Sequence, residues 1–112
     1  MTATFVGLSD GRAGDGGTRV NAGVYNPSTT ALFAGFTVHA ESGETLNTVY
    51  QMVGPGAWTQ VNDLFSQAGA GSARPGSFVT FTSGAPVFPF LISIDNRSGD
   101  SVYLEPRESF QP

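Results

Sequence analysis

Hydrophobic and polar residues alternate with a period of two along most of this chain, and nowhere over a useful length with the 3.6-residue period of a helix. The clearest stretch is 87–100, VFPFLISIDNRSGD, in which Phe88, Phe90, Ile92 and Ile94 share one face of an extended strand while Val87, Leu91, Ser93 and Asp95 share the other. This spacing predicts a central strand whose Phe/Ile face forms the core, with the second face partly covered through Val87 and Leu91. Pro89 lacks an amide donor, so the first half of the strand is expected at an edge or a bulge. Asp95, Asn96, Ser98, Gly99 and Asp100 then supply the residue types of a tight turn.

The other segments arrange themselves around it. Residues 2–8 read as a first strand, and 9–17, rich in Gly, Asp and Ser, as a flexible loop. In 18–26, Val20, Ala22 and Val24 alternate with Arg19, Asn21 and Tyr25; in 31–40, Leu32, Ala34, Phe36 and Val38 alternate with Phe33, Thr37 and His39. With Pro27 and Ser28 between them, these two strands are expected to pair as a hairpin. A turn at Gly43 leads to a strand at 46–53 whose faces, Leu46/Thr48/Tyr50/Met52 and Asn47/Val49/Gln51/Val53, are too alike to name the buried one. After the breaker Gly54-Pro55-Gly56 come a short strand at 57–61 and one helical turn capped by Asn62 or Asp63, with Leu64 and Phe65 plugging the core; a loop follows at 67–75. Strands at 77–82 and 101–104 and a polar tail at 105–112 complete the chain. Short strands with turn signals between them predict an all-β fold. The expected form is a single antiparallel β-sandwich of immunoglobulin or fibronectin III type, about 7–8 strands, one domain over 1–112 with its core at about 3–106. A small barrel is the alternative.

Composition narrows function mostly by exclusion. With 112 residues, 39% of them hydrophobic and nine of them Phe, the chain can fill one core without staples. It has no Cys, which removes disulfides, zinc thiolates and cysteine nucleophiles together. All five basic residues are Arg, so there is no lysine for a Schiff base or a phosphate loop. A net charge of −4 with only 12% charged residues disfavours nucleic acid and anionic membrane surfaces. No apolar run reaches the roughly 20 residues of a membrane span. A monomer is expected.

Gly17-Thr18-Arg19-Val20-Asn21, Val24-Tyr25-Asn26-Pro27, Gly43, Val53-Gly54-Pro55-Gly56, Gln60-Val61-Asn62-Asp63-Leu64-Phe65, Ser83-Gly84-Ala85-Pro86-Val87, Ser93-Ile94-Asp95-Asn96 and Gly99-Asp100 follow one another in that order. From about Phe5 to Pro106 this series resembles a recurring Ig-like domain of bacterial secreted and cell-surface proteins. The resemblance implies a non-catalytic accessory module, secreted or at the cell surface, that serves as a spacer or a recognition surface. An export signal would then have been removed or would belong to a larger parent protein.

Candidate chemistry is sparse. His39 sits mid-strand near Glu41 with no nucleophile context and reads as a satisfied or solvent-facing side chain. Glu41 and Glu44 flank a tight turn rather than a cleft and read as solvated charges. Asp95, Asn96 and Asp100 bracket a turn whose oxygens would suit calcium, although capping of the turn accounts for the same residue types without a metal and is preferred. Asn96-Arg97-Ser98 also matches the N-glycosylation pattern. Arg19, Asn21 and Asn26 are candidates for a half-buried polar network with a structural role. Tyr50, Trp58 and Tyr103 would make a carbohydrate-binding platform if exposed together, and core residues if not. The partners considered are therefore a polysaccharide or another protein module, with calcium the one cofactor weighed. A third possibility is a protease inhibitor presenting loop 9–17 or 67–75.

Overall fold

In the alternating strands the smaller, β-branched or aromatic apolar set turns inward, and two sheets meet over the faces so formed. The computed structural model describes residues 1–6, 18–70, 76–95 and 98–110. The loop expected at 9–17, residues 71–75 of the loop expected at 67–75, and Asn96 lie outside the described residues. Within them the strands are β1 (Thr2–Phe5), β2 (Thr18–Tyr25), β3 (Leu32–His39), β4 (Thr45–Val53), β5 (Trp58–Val61), β6 (Phe78–Ser83), β7 (Phe88–Asp95), β8 (Ser101–Leu104) and β9 (Glu108–Phe110). One short helix, α1 (Leu64–Gln67), stands between β5 and β6. A five-stranded sheet runs β4-β3-β6-β1-β9 and a four-stranded sheet β5-β2-β7-β8, with every pair antiparallel. The architecture is the antiparallel β-sandwich that the strand spacing predicts. No helix among the described residues is long and apolar enough to cross a membrane.

The buried phenylalanines of the sheets all come from one side, where they stand among Ala3, Ala34, Val38, Val53 and Val79. The five-stranded sheet contributes Phe5, Phe36 and Phe81, and α1 contributes Leu64 and Phe65. Phe36 and Phe81 are cross-strand partners whose tilted rings lie 5.0 Å apart, a contact worth about 0.5–1.5 kcal/mol beyond its burial. The four-stranded sheet answers with Val20, Ala22, Val24, Val61, Val87 and Leu91. Both sets join one buried cluster, with the large rings of the sheets on one side only.

Three expectations are corrected and one open choice is settled. Along 87–95 the buried face is Val87, just before β7, with Pro89 and Leu91 within it, whereas Phe88 is exposed and Phe90, Ile92 and Ile94 are only half-buried. The reason is volume: with the opposing sheet and α1 already supplying the large rings, two more Phe on this side would overfill the core. Second, β2 and β3 do not form a hairpin, because they belong to different sheets and 26–31 carries the chain across between them. Third, in the strand at 46–53, whose buried face the sequence leaves open, it is Val53 that is buried and Tyr50 and Met52 that face out. Fourth, 105–112 is not simply a tail: β9 forms at 108–110 and pairs with β1. Pro89 lies beyond the end of β8, whose pairing with β7 stops at Leu91, so β7 has one unpaired edge there and tolerates the missing donor.

The crossover from β2 to β3 is held by Asn26, which is fully buried. Its Nδ2 donates to the carbonyls of Thr30, Val53 and Gly54 at 2.8, 3.2 and 3.2 Å, and its Oδ1 accepts from the Ser28 amide and hydroxyl at 2.9 and 2.7 Å. Its backbone amide donates to the Ala57 carbonyl, and its own carbonyl accepts from Gly56, both at 2.9 Å. One side chain thus joins the end of β2, the crossover and the turn between β4 and β5. Asn26→Ala strands several buried groups and is expected to lower stability by at least about 2 kcal/mol in denaturant unfolding. Asn26→Asp should be as damaging or worse at neutral pH, because it sets a carboxylate against the same carbonyl oxygens. An unchanged midpoint for either variant would contradict this role.

Candidate functional site

Because Val20, Ala22 and Val24 point inward, Arg19, Asn21, Gly23 and Tyr25 must lie on the outer face of β2, and the same parity puts Phe88, Phe90, Ile92 and Ile94 outside on β7. Strand register lines them up in rows across the four-stranded sheet. Trp58, Tyr25 and Phe88 form the first row; Gln60, Gly23 and Phe90 the second; Asn21, Ile92 and Tyr103 the third; Arg19, Ile94 and Ser101 the fourth. Trp58 and Phe88 are each 63% exposed, Tyr103 59% and Tyr25 40%. The Tyr25 and Phe88 rings are near-parallel with centroids 6.2 Å apart, and Phe90 and Tyr103 stack at 5.7 Å. The end of the outer face nearest Trp58 is therefore a run of rings where polar side chains would be ordinary, while Gln60, Asn21, Arg19 and Ser101 keep the rows beyond it mixed.

Gly23 is what allows that continuity. A Cβ built there would overlap the Phe90 ring tip, with Cε2 and Cε1 at 2.6 and 2.7 Å, so the ring reaches across β2 into the space a side chain would take. The other sheet repeats the device, since a Cβ on Gly35 would meet Tyr50 Cε1 at 3.1 Å, Tyr50 being its partner in register. In each case a glycine accepts the aromatic ring of the neighbouring strand.

Of the residues singled out from the sequence, Trp58 and Tyr103 share the outer face of the four-stranded sheet, on its two edge strands. Tyr50, 65% exposed, lies on the outer face of the five-stranded sheet beside Phe33 and Met52, so the three do not form one platform. The residues that connect Trp58 to Tyr103 are Tyr25, Phe88 and Phe90, which the sequence reading did not count as site residues. Their signal was present in the alternation of β2: with Val20, Ala22 and Val24 inward, Tyr25 faces outward, and Phe88 and Phe90 stand opposite Tyr25 and Gly23 in register.

The polar candidates serve separate places. Asn21 is buried and its Oδ1 accepts the Asp63 amide at 2.8 Å, just where the chain leaves β5 for α1. Asp63, in the left-handed region at φ 53, occupies the position before α1 but makes no side-chain cap. Asn26 acts at the opposite end of β2, and Arg19 is exposed on its outer face. Asp95 and Asp100 close the β7–β8 hairpin: the Asp95 amide donates to the Asp100 carbonyl and the Gly99 amide to the Asp95 carbonyl, both at 2.8 Å, while Asp95 Oδ1 accepts from the Ser98 amide at 3.4 Å. Gly99 has φ 79, as the turn requires. No group of three or more His, Asp or Glu among the described residues is arranged to hold a metal. His39 is flanked by hydroxyls, with Thr80 Oγ1 2.8 Å from Nε2 and Thr45 Oγ1 3.3 Å from Nδ1, and it stacks on Phe78 at 4.6 Å.

Gly23→Ala should displace the Phe90 ring and cost about 1–3 kcal/mol, whereas Gly23→Ala combined with Phe90→Ala should cost less than the sum of the single changes. A double-mutant cycle in thermal or denaturant unfolding reads this coupling, and strict additivity would show that the ring does not depend on the glycine.

No protein-family model matches the chain, and no curated protein matches it. Among solved structures it is similar to the crystal structure of Thermotoga maritima 1070, with a TM-score of 0.72 over 96% of this chain and 93% of that chain at 12% identity. The likeness is one of fold.

Proposed function

We propose that this chain is a non-catalytic module of a bacterial secreted or cell-surface protein that recognises a partner through the outer face of its four-stranded sheet. The observation that carries the reading is the exposed row Trp58, Tyr25 and Phe88. Each of these rings forgoes the roughly 25 cal/mol per Å² that burial of its apolar surface would contribute, and a contiguous field of that kind on a soluble chain marks an interaction site. The extracellular placement draws on the resemblance in the turn and half-buried polar motifs, including Asn26 and Asp95 to Asp100. The non-catalytic character draws on His39, whose two ring nitrogens are both engaged by threonine hydroxyls, so that no carboxylate orients the ring as a base.

A recognition face and a structural face respond differently to substitution. The pair Trp58→Ser and Phe88→Ser, introduced together, should change stability by less than about 1 kcal/mol per site, as surface positions do. The same variant should lose retention on at least one surface of a panel of bacterial cell walls, insoluble glycans and immobilised extracellular proteins that retains the parent chain. A loss above about 2 kcal/mol per site would assign the rings to the fold's own stability. Equal retention of parent and variant on every surface would remove the recognition role.

A further inference from the structure

We infer that the row Trp58, Tyr25, Phe88 is a stacking track for the pyranose rings of a neutral polysaccharide, with the amides of Gln60 and Asn62 taking its hydroxyls. This rests on the recognition role proposed above and names its ligand class. Three observations lead to it.

The first is the shape of the row. Its members occupy adjacent strands in register, so it crosses the sheet over about 10 Å, two strand spacings. At one end β5 is an edge strand, and at the other β8 stops short of Phe88, its pairing with β7 beginning at Leu91. No described strand flanks the row at either end. An open-ended line of rings suits a chain that runs past it, whereas a single small molecule is held by a closed pocket.

The second is the chemistry beside the rings. Gln60 follows Trp58 on the same face of β5, and its Nε2 donates to Asn62 Oδ1 at 3.0 Å. That leaves the Gln60 Oε1 as an acceptor and the Asn62 Nδ2 as a donor, a neutral pair suited to hydroxyl groups, which both donate and accept. An aromatic face carries negative potential and attracts the C–H face of a sugar ring, so rings and amides together present both halves of what a pyranose offers.

The third is the placement of charge. Arg19 lies six residues from Tyr25 along β2, about 20 Å away, and Glu105 follows β8 at the far edge. Acidic sugars call for guanidinium or ammonium groups at the stacking site itself, and the first two rows carry neither.

Trp58 is the chain's one tryptophan, so its fluorescence reports the track directly. The test titrates the intact chain with hydroxyethylcellulose, xyloglucan, glucomannan and soluble starch, and with alginate and polygalacturonate as anionic counterparts, following Trp58 emission and mobility in affinity gels. At least one neutral polymer should shift the emission and retard the chain. Trp58→Ala and Phe88→Ala should each weaken binding about tenfold or more, while Tyr50→Ala on the other sheet leaves it unchanged. If an alanine variant loses its fold, Trp58→Phe, which keeps a ring, replaces it and should retain partial affinity. No emission change with any neutral polymer, binding of anionic polymers only, or loss through Tyr50→Ala with Trp58→Ala intact would each overturn the inference. So would concentration-dependent dimerisation abolished by Phe88→Ser, which would make a second copy the occupant. Retention of the parent chain on immobilised protein alone, lost in the double serine variant, would preserve the recognition role and refute the glycan.

Discussion

The buried amide of Asn26 is the contact on which the rest of this structure depends. A sandwich needs its chain to pass from one sheet to the other, and each passage exposes backbone groups that neither ladder can satisfy. At the first described passage, from β2 to β3, Asn26 gathers carbonyls from the crossover and from the end of β4, and its own backbone extends the β2–β5 pairing into the turn at 54–57. That turn delivers Trp58 opposite Tyr25. The position of the first ring in the aromatic row is therefore a consequence of a polar side chain in the interior.

The outer face of the four-stranded sheet follows from how the inner one is filled. Sheets pack about 10 Å apart, and that gap holds a limited volume of side chain. Phe5, Phe36 and Phe81 take up much of it from the five-stranded sheet and Phe65 adds to it from α1, which leaves room on the four-stranded sheet for valines, an alanine and a leucine. Phe88 and Phe90 are turned outward as a result, and the packing constraint that excludes them from the core places them beside Tyr25 and Tyr103. The exposed aromatic face and the core are thus two outcomes of a single choice of parity in β7.

Glycine takes part in both outer faces in the same way. Gly23 beneath Phe90 and Gly35 beneath Tyr50 give up side-chain packing of their own and let a neighbouring ring cover the strand. This restores some of the burial that a strand glycine forgoes and keeps the ring close to the sheet surface. On the five-stranded sheet the ring stands near Phe33 and Met52; on the four-stranded sheet it joins a field that spans all four strands.

Much of the fold was legible in the sequence, because alternation is a local property. The inward faces of β2 and β3, the turn at Gly43, the helical turn at Leu64 and Phe65, and the hairpin around Gly99 were each readable from a few adjacent residues, and the sandwich followed from their number and spacing. The site was less so. Alternation says which residues of a strand share a face but is silent on which face is buried, since a strand with Phe88, Phe90, Ile92 and Ile94 on one side and Val87, Pro89 and Leu91 on the other is apolar on both. That decision belongs to the tertiary structure, where the volume already supplied by the opposing sheet selects the smaller set for the interior. Register between strands distant in sequence is likewise a tertiary property, and it alone brought Trp58, Tyr25 and Phe88 into one row and set Tyr50 on the opposite side of the molecule.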